Sequence, residues 1–204
     1  MRQSPIVRAL VQLAGHFIRR RNHVVFELDL TRPREPVSWA PEERVIEIGP
    51  ENIDTVMTPE LFEFLGGSSV RKSLEGIRGG NRLIVVQDSE GYAAYGHVVV
   101  NGAEYLRTLQ EPEAIPYLGN FFTVPRARRR GLLQKAGNEC LLMLQRRGYR
   151  RVLAEARPTN TGSVKGMENQ GMRRIRHLMG WIIFERLVIQ RDIQNTGRWR
   201  VLFR

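Results

Sequence analysis

The sequence predicts an α/β fold of the mixed α+β kind, a sheet covered by helices. Three observations lead there. The first half reads mainly as strands, and "DSEG" at Asp88–Gly91 marks a hairpin turn between two apolar runs. The second half alternates strand, helix, strand and helix, with proline or glycine at the switches. With 204 residues, 42% hydrophobic and 26% charged, the chain suits one globular domain with a sizeable core.

In order, "PIVRALVQLAGHFIRR" (residues 5–20) spaces Ile6, Val7, Leu10, Leu13, Ala14, Phe17 and Ile18 as an amphipathic helix with arginines at its ends. His23–Leu30 is a strand, and "TRPREPVSWAPEE" (Thr31–Glu43) a Pro-rich connector. Residues 1–40 are therefore expected to form an N-terminal extension, and 41–204 the main domain. Next come a strand at Val45–Ile48 and helices near Glu51–Leu65 and Ser68–Arg78. Strands follow at Arg82–Gln87, Tyr92–Val100, Glu104–Thr108 and Tyr117–Val124. A long helix (Gly131–Arg147), a strand (Arg151–Ala156) and a helix (Thr161–Gln170) precede strands near Met172–Leu178 and Ile182–Arg191.

The net charge of +11 should attract polyanions: nucleic acid, an anionic membrane or a phosphorylated small molecule. Arginines cluster at the start of the chain, at Arg126–Arg130 and toward the C-terminus. The N-terminal helix has three readings: packing on its own domain, lying on an anionic membrane face through residues 1–22, or serving as a transit peptide. Cys140 is the only cysteine, so no intrachain disulfide forms, which fits a reducing cytoplasm. No HExxH or CxxC is present and no metal is expected; no apolar run is long enough to span a bilayer.

The chemistry concentrates in "YLGNFFTVPRARRRGLLQKAG" (Tyr117–Gly137). Pro125 ends an apolar strand, a basic loop follows, and a helix begins at Gly131. Such a unit aims free backbone N–H groups and the positive end of a helix dipole at one point, which suits phosphate. No Walker or GxGxxG pattern is present; "GGSSVRKS" (Gly66–Ser73) lacks the second glycine and a preceding strand.

"VPRARRRGLL" resembles the pyrophosphate-binding signature of the GNAT acetyltransferase superfamily, with Arg128 in the first position, Gly131 as the central glycine, and Leu133 where Gly or Ala is usual. "NTGSVKGMENQGM" resembles the family's downstream stretch through Asn160, Ser163 and Gly171, with Met172 in place of the usual Phe. The resemblance runs from Val45 to Arg191. It implies a twisted mixed sheet of about six or seven strands with helices on both faces. It also implies a cleft where Tyr117–Val124 and Arg151–Ala156 splay apart to take acetyl-CoA. The pantetheine would meet the backbone of Phe122, Thr123 and Val124, and the pyrophosphate would meet Arg128, Arg129, Arg130, Gly131, Leu132 and Leu133, with Asn160 orienting the cofactor or a water.

The implied reaction is direct acetyl transfer to a primary amine. Glu155 is the expected base, Asn120 would hold water or substrate beside the thioester, and Ser163 substitutes for the family's acidic tyrosine, whose position is Met167. Glu155 could equally pair with an arginine, Ser163 could serve only at the helix start, and Arg126, Arg129 and Arg130 could be a solvated surface. A softer resemblance to a subgroup associated with bacterial polysaccharide synthesis favours an amino sugar or a lipid-linked amine as acceptor. It would place the protein in the cytoplasm or on the inner membrane face. The family also allows a homodimer through the C-terminal strands. The alternatives are a non-catalytic or acyl-carrier-dependent GNAT protein, or a basic nucleic-acid-binding protein; against the last, no aromatic–basic platform is present.

Overall fold

A computed structural model of the chain describes residues 18–66, 71–100, 115–184, 186–195 and 197–203. Nine strands form one sheet: β1 (Ile18–Asp29), β2 (Arg44–Ile48), β3 (Arg82–Asp88), β4 (Gly91–Val99), β5 (Tyr117–Thr123), β6 (Arg151–Ala156), β7 (Arg173–Ile183), β8 (Leu187–Asp192) and β9 (Trp199–Phe203). The helices are α1 (Ile53–Val56), α2 (Pro59–Phe64), α3 (Arg71–Arg78), α4 (Leu132–Arg146) and α5 (Thr161–Asn169). The spatial order is β2-β3-β4-β5-β6-β1-β7-β8-β9. Among the described pairings only β5–β6 is parallel.

Helices cover both faces, as expected. The apolar stripe of α4 (Leu132, Ala136, Cys140, Leu141, Met143, Leu144) packs on Val24, Phe26, Ile84, Val86, Ala94, Val98, Leu118, Val152 and Ala154. The opposite face carries a second cluster, in which Ile53, Leu61, Leu74 and Ile77 of α1–α3 meet Ile48, Leu83 and Val85. The helix expected across Glu51–Leu65 is two short ones. Pro59 disfavours helical geometry at Thr58, whose hydroxyl instead accepts the Leu61 N–H at 3.2 Å and starts α2.

Several expectations change. Among the described residues the sheet has nine strands, against the expected six or seven or so. Ile18–Arg20, read as the end of a helix, open β1, while residues 1–17 and the strand expected at Glu104–Thr108 lie outside the described residues. β1 lies between β6 and β7, pairing Val25 with Glu155 on one side and with Arg176 on the other. The buried run Val24–Val25–Phe26 is apolar toward both faces, as an interior strand requires. At the C-terminus, β7 continues through Ile183, and β9 adds a strand the sequence reading lacked.

Gly180 makes the β7–β8 pairing possible. A Cβ there would lie 1.9 Å from the Ile189 carbonyl oxygen and 2.7 Å from the Gln190 Cα. Both are backbone atoms, so no rotamer change relieves the clash. Gly180→Ala is expected to destabilise the protein by about 3 kcal/mol, lowering the melting temperature by roughly 10 °C. A melting curve close to that of the parent would show that β8 can shift to accommodate it.

Candidate active site

The parallel strands β5 and β6 pair only at Tyr117↔Leu153 and Leu118↔Ala154, then separate. The cause lies on the other side of β5. Between Gly119 (opposite His97) and Phe122 (opposite Tyr95), β5 carries two residues where β4 carries one. Asn120 takes the extra place, in a left-handed conformation with φ 52°. This bulge re-aims β5 where the gap opens, and Asn120 is exposed there. Phe121 closes over Gly96, where a Cβ would lie 2.4 Å from its ring.

Above the gap the chain passes through a single 3₁₀ turn (Pro125–Ala127) into α4. Gly131 is the N-cap, with φ 76° and no side-chain cap. The first α4 hydrogen bond to this end runs from the Lys135 N–H to the Gly131 carbonyl at 3.0 Å, so the N–H groups of residues 131–134 precede the helical ladder. A Cβ on Gly131 would meet nothing within 4 Å, so the approach to these donors is open. Leu132 is buried in the core, whereas Leu133 is exposed beside the opening.

The arginines of the loop divide into two kinds. Arg126 and Arg130 are anchors: Arg126 Nη1 donates to Asp88 at 2.8 and 3.0 Å, and Arg130 Nη1 donates to Asp88 Oδ2 at 2.6 Å. The Asp88 side chain is 0% exposed and also accepts the Glu90 N–H at 3.0 Å. Arg128 Nε bonds the Thr123 carbonyl at 3.3 Å, and Arg129 is exposed with φ 65°. The loop is thus tied to the β3–β4 turn by a buried carboxylate.

The Arg126 guanidinium beside Asp88 holds its carboxyl below the usual carboxylate range. A carboxylate depressed on folding contributes stability that is complete above its unfolded pKa and is lost as the pH falls through the folded one. Asp88→Ala is expected to cost about 2 kcal/mol near neutral pH, because both arginines remain partly solvated. Urea unfolding should show this deficit unchanged down to about pH 5 and shrinking below about pH 4. A deficit independent of pH would assign the cost to packing instead.

Below the gap, on the face away from α4, lies a polar cluster that joins strands distant in sequence. Glu155 of β6 accepts from His23 Nδ1 at 2.7 Å and from Arg21 Nη2 at 3.2 Å; Arg21 Nη1 in turn donates to Gln190 of β8 at 2.7 Å. The side chains of Arg21 and Glu155 are 3% and 9% exposed, that of His23 24%. Arg21, one of the arginines expected to face a membrane, is therefore an interior ion-pair partner. Glu155 is the first β6 residue past the last β5–β6 pair, so this cluster borders the gap. Neither His23 nor Arg21 was expected at the site. Their signal was polar residues beside the interior run Val24–Phe26, but only the strand order shows what they meet.

The other expected residues fall as follows. The Phe122 ring joins Tyr95 (5.6 Å), Phe64 (6.3 Å) and Tyr92 in an aromatic wall on the α2 side of the gap. The Val124 N–H bonds the Ala93 carbonyl at 2.9 Å. The Thr123 hydroxyl is buried with no hydrogen-bond partner among the described residues. The Asn160 side chain caps α5, accepting the Ser163 N–H at 3.2 Å, so the geometry gives both residues a role at the helix start. Met167 packs against the core and has no proton to donate. Cys140 is fully buried, and burial pushes its thiol pKa up, which leaves no thiolate for acyl transfer.

Comparison with solved structures places this architecture. A Drosophila protein superposes with a TM-score of 0.54 at 17% identity, over 83% of this chain and 53% of that one. A tandem GNAT protein from the clavulanic acid biosynthesis pathway gives 0.53 at 14% identity, over 94% and 60%. A GNAT-family protein from Novosphingobium aromaticivorans gives 0.52 at 15%, over 78% and 64%. The chain spans between half and two-thirds of the length of these proteins. No family model matches it, and no curated protein matches it by sequence. The fold is that of the GNAT acetyltransferases.

Proposed function

We propose that the protein is an acyl-CoA-dependent N-acyltransferase that moves an acetyl group from acetyl-CoA to a primary amine. The observation that carries this reading is the opening of β5 from β6 directly beneath the uncapped, sterically open N-terminus of α4. The residues present fit the cofactor. The N–H groups at 131–134 suit its pyrophosphate, with Arg128 and Arg129 supplying charge. The Thr123 hydroxyl, on the strand that borders the gap, has no hydrogen-bond partner among the described residues and is a candidate donor to the cofactor. Bound there, acetyl-CoA supplies an activated thioester carbonyl.

The chain's own residues supply the rest. His23 gives Nδ1–H to Glu155, which leaves the Nε2 lone pair to take a proton from the acceptor's ammonium. Arg21 holds the other carboxylate oxygen of Glu155 at 3.2 Å, so the carboxylate is fixed where it orients the imidazole. Glu155 thus acts through His23 and is not itself the base. Met167 cannot protonate the departing thiolate, which takes its proton from water.

The aromatic wall of Phe64, Tyr92, Tyr95 and Phe122, its rings partly stacked and partly edge-on, offers aromatic surface beside the gap, on the same sheet face as His23. It suits the ring of an amino sugar, free or lipid-linked, better than a small aliphatic amine. Isothermal calorimetry with acetyl-CoA tests the reading first. Micromolar binding is expected, followed by release of free thiol when an amino sugar is added. Absence of binding would overturn it.

A further inference from the structure

Beyond β1, on the face that carries α4 elsewhere, no described helix covers the sheet. Register fixes what is displayed there. One row across the strands reads Ile18, Ile183, Leu187, Phe203; the next Arg20, Trp181, Ile189, Val201; the third Asn22, Met179, Arg191, Trp199. Nine of these twelve are apolar and none is acidic. Phe203 is 75% exposed, Val201 60%, Trp199 49% and Trp181 44%. The two indoles stack at 5.3 Å and 12°, and the Arg191 guanidinium lies 5.1 Å from the Trp199 ring. Phe184, also exposed, marks the β7–β8 turn, next to the described and exposed Arg186.

We propose that this face docks on an anionic lipid bilayer, independently of any acyltransferase activity. Charge selects the occupant. A second copy in a two-fold contact would set Arg20 and Arg191 against their own counterparts, with no carboxylate among the twelve described residues of these rows to meet them. A lipid surface takes both halves of the pattern: Trp, Phe and Val enter the interfacial region while the arginines meet anionic headgroups. Continuity supports it. Ile18 is the corner of the face, and the sequence that precedes it is basic and amphipathic.

The test is flotation of the full chain with vesicles of phosphatidylcholine, with and without phosphatidylglycerol, and with tryptophan emission recorded. The parent should float with anionic vesicles and shift its emission to the blue, while remaining free with neutral ones. Phe203→Glu should weaken this at least tenfold at unchanged melting temperature. Val45→Glu, an equal charge change on exposed β2 at the far end of the sheet, should bind like the parent. Failure of the parent to float, equal binding by Phe203→Glu, or complete loss on deletion of residues 1–17 with the face intact would each overturn the proposal. So would a parent dimer in solution that Phe203→Glu converts to monomer, which would make the face an interface between copies.

Discussion

Gly131→Asp is expected to weaken acetyl-CoA binding at least a hundredfold, about 2.7 kcal/mol, while leaving the protein folded. Open space around position 131 means that the new side chain displaces nothing. Aspartate is a favoured N-cap and tolerates a left-handed backbone better than most residues, so the φ of 76° costs about 1 kcal/mol or less. What changes is electrostatic: a fixed carboxylate on the donors at 131–134 satisfies them internally and repels the pyrophosphate. Calorimetry on parent and variant, beside their melting curves, separates the cases. Equal affinity would place the cofactor elsewhere; lost affinity with a collapsed melting curve would show only that the loop had misfolded.

The second large effect concerns the chemical step. With an accepted amino sugar, His23→Ala is expected to lower kcat/KM by roughly a hundredfold to a thousandfold, with acetyl-CoA affinity unchanged. Exogenous imidazole should restore part of the rate, because the half-buried site it vacates lies at the gap. Glu155→Gln should lower the rate comparably but resist imidazole, because its own imidazole is still present and merely loses its orientation. It should also cost about 2 kcal/mol of stability, because buried Arg21 loses its counter-charge while its bond to Gln190 remains. Full activity in His23→Ala would remove the imidazole from the mechanism. Imidazole rescue of Glu155→Gln would make the carboxylate, not His23, the group whose loss is repaired.

The strand–loop–helix–strand unit was legible because its signals are local. Pro125 stops a strand, Gly131 opens a helix, Gly148 closes it, and the apolar period of Leu132–Leu144 names the buried stripe. The motif positions Arg128, Gly131 and Asn160 could be read for the same reason. What could not be read depends on pairing between distant segments. His23 and Glu155 are 132 residues apart, and nothing near either one announces the other. The Asn120 bulge needs the β4 register to exist at all. Arg126 and Arg130 look alike to Arg129 in sequence, and only the buried Asp88 across the turn tells the anchors from the exposed residue.

The place of β1 sets an order of events during synthesis. Its first neighbour, β6, pairs Asp29 with Arg151, so β1 must wait for more than a hundred further residues before either flank exists. At ribosomal speed that wait is roughly ten seconds, during which the run Val24–Val25–Phe26 has no native partner. A nascent chain halted before β6 therefore exposes a strand able to pair with whatever it meets. Chaperone contact in the cell, and aggregation in truncated products, should begin at residues 18–29.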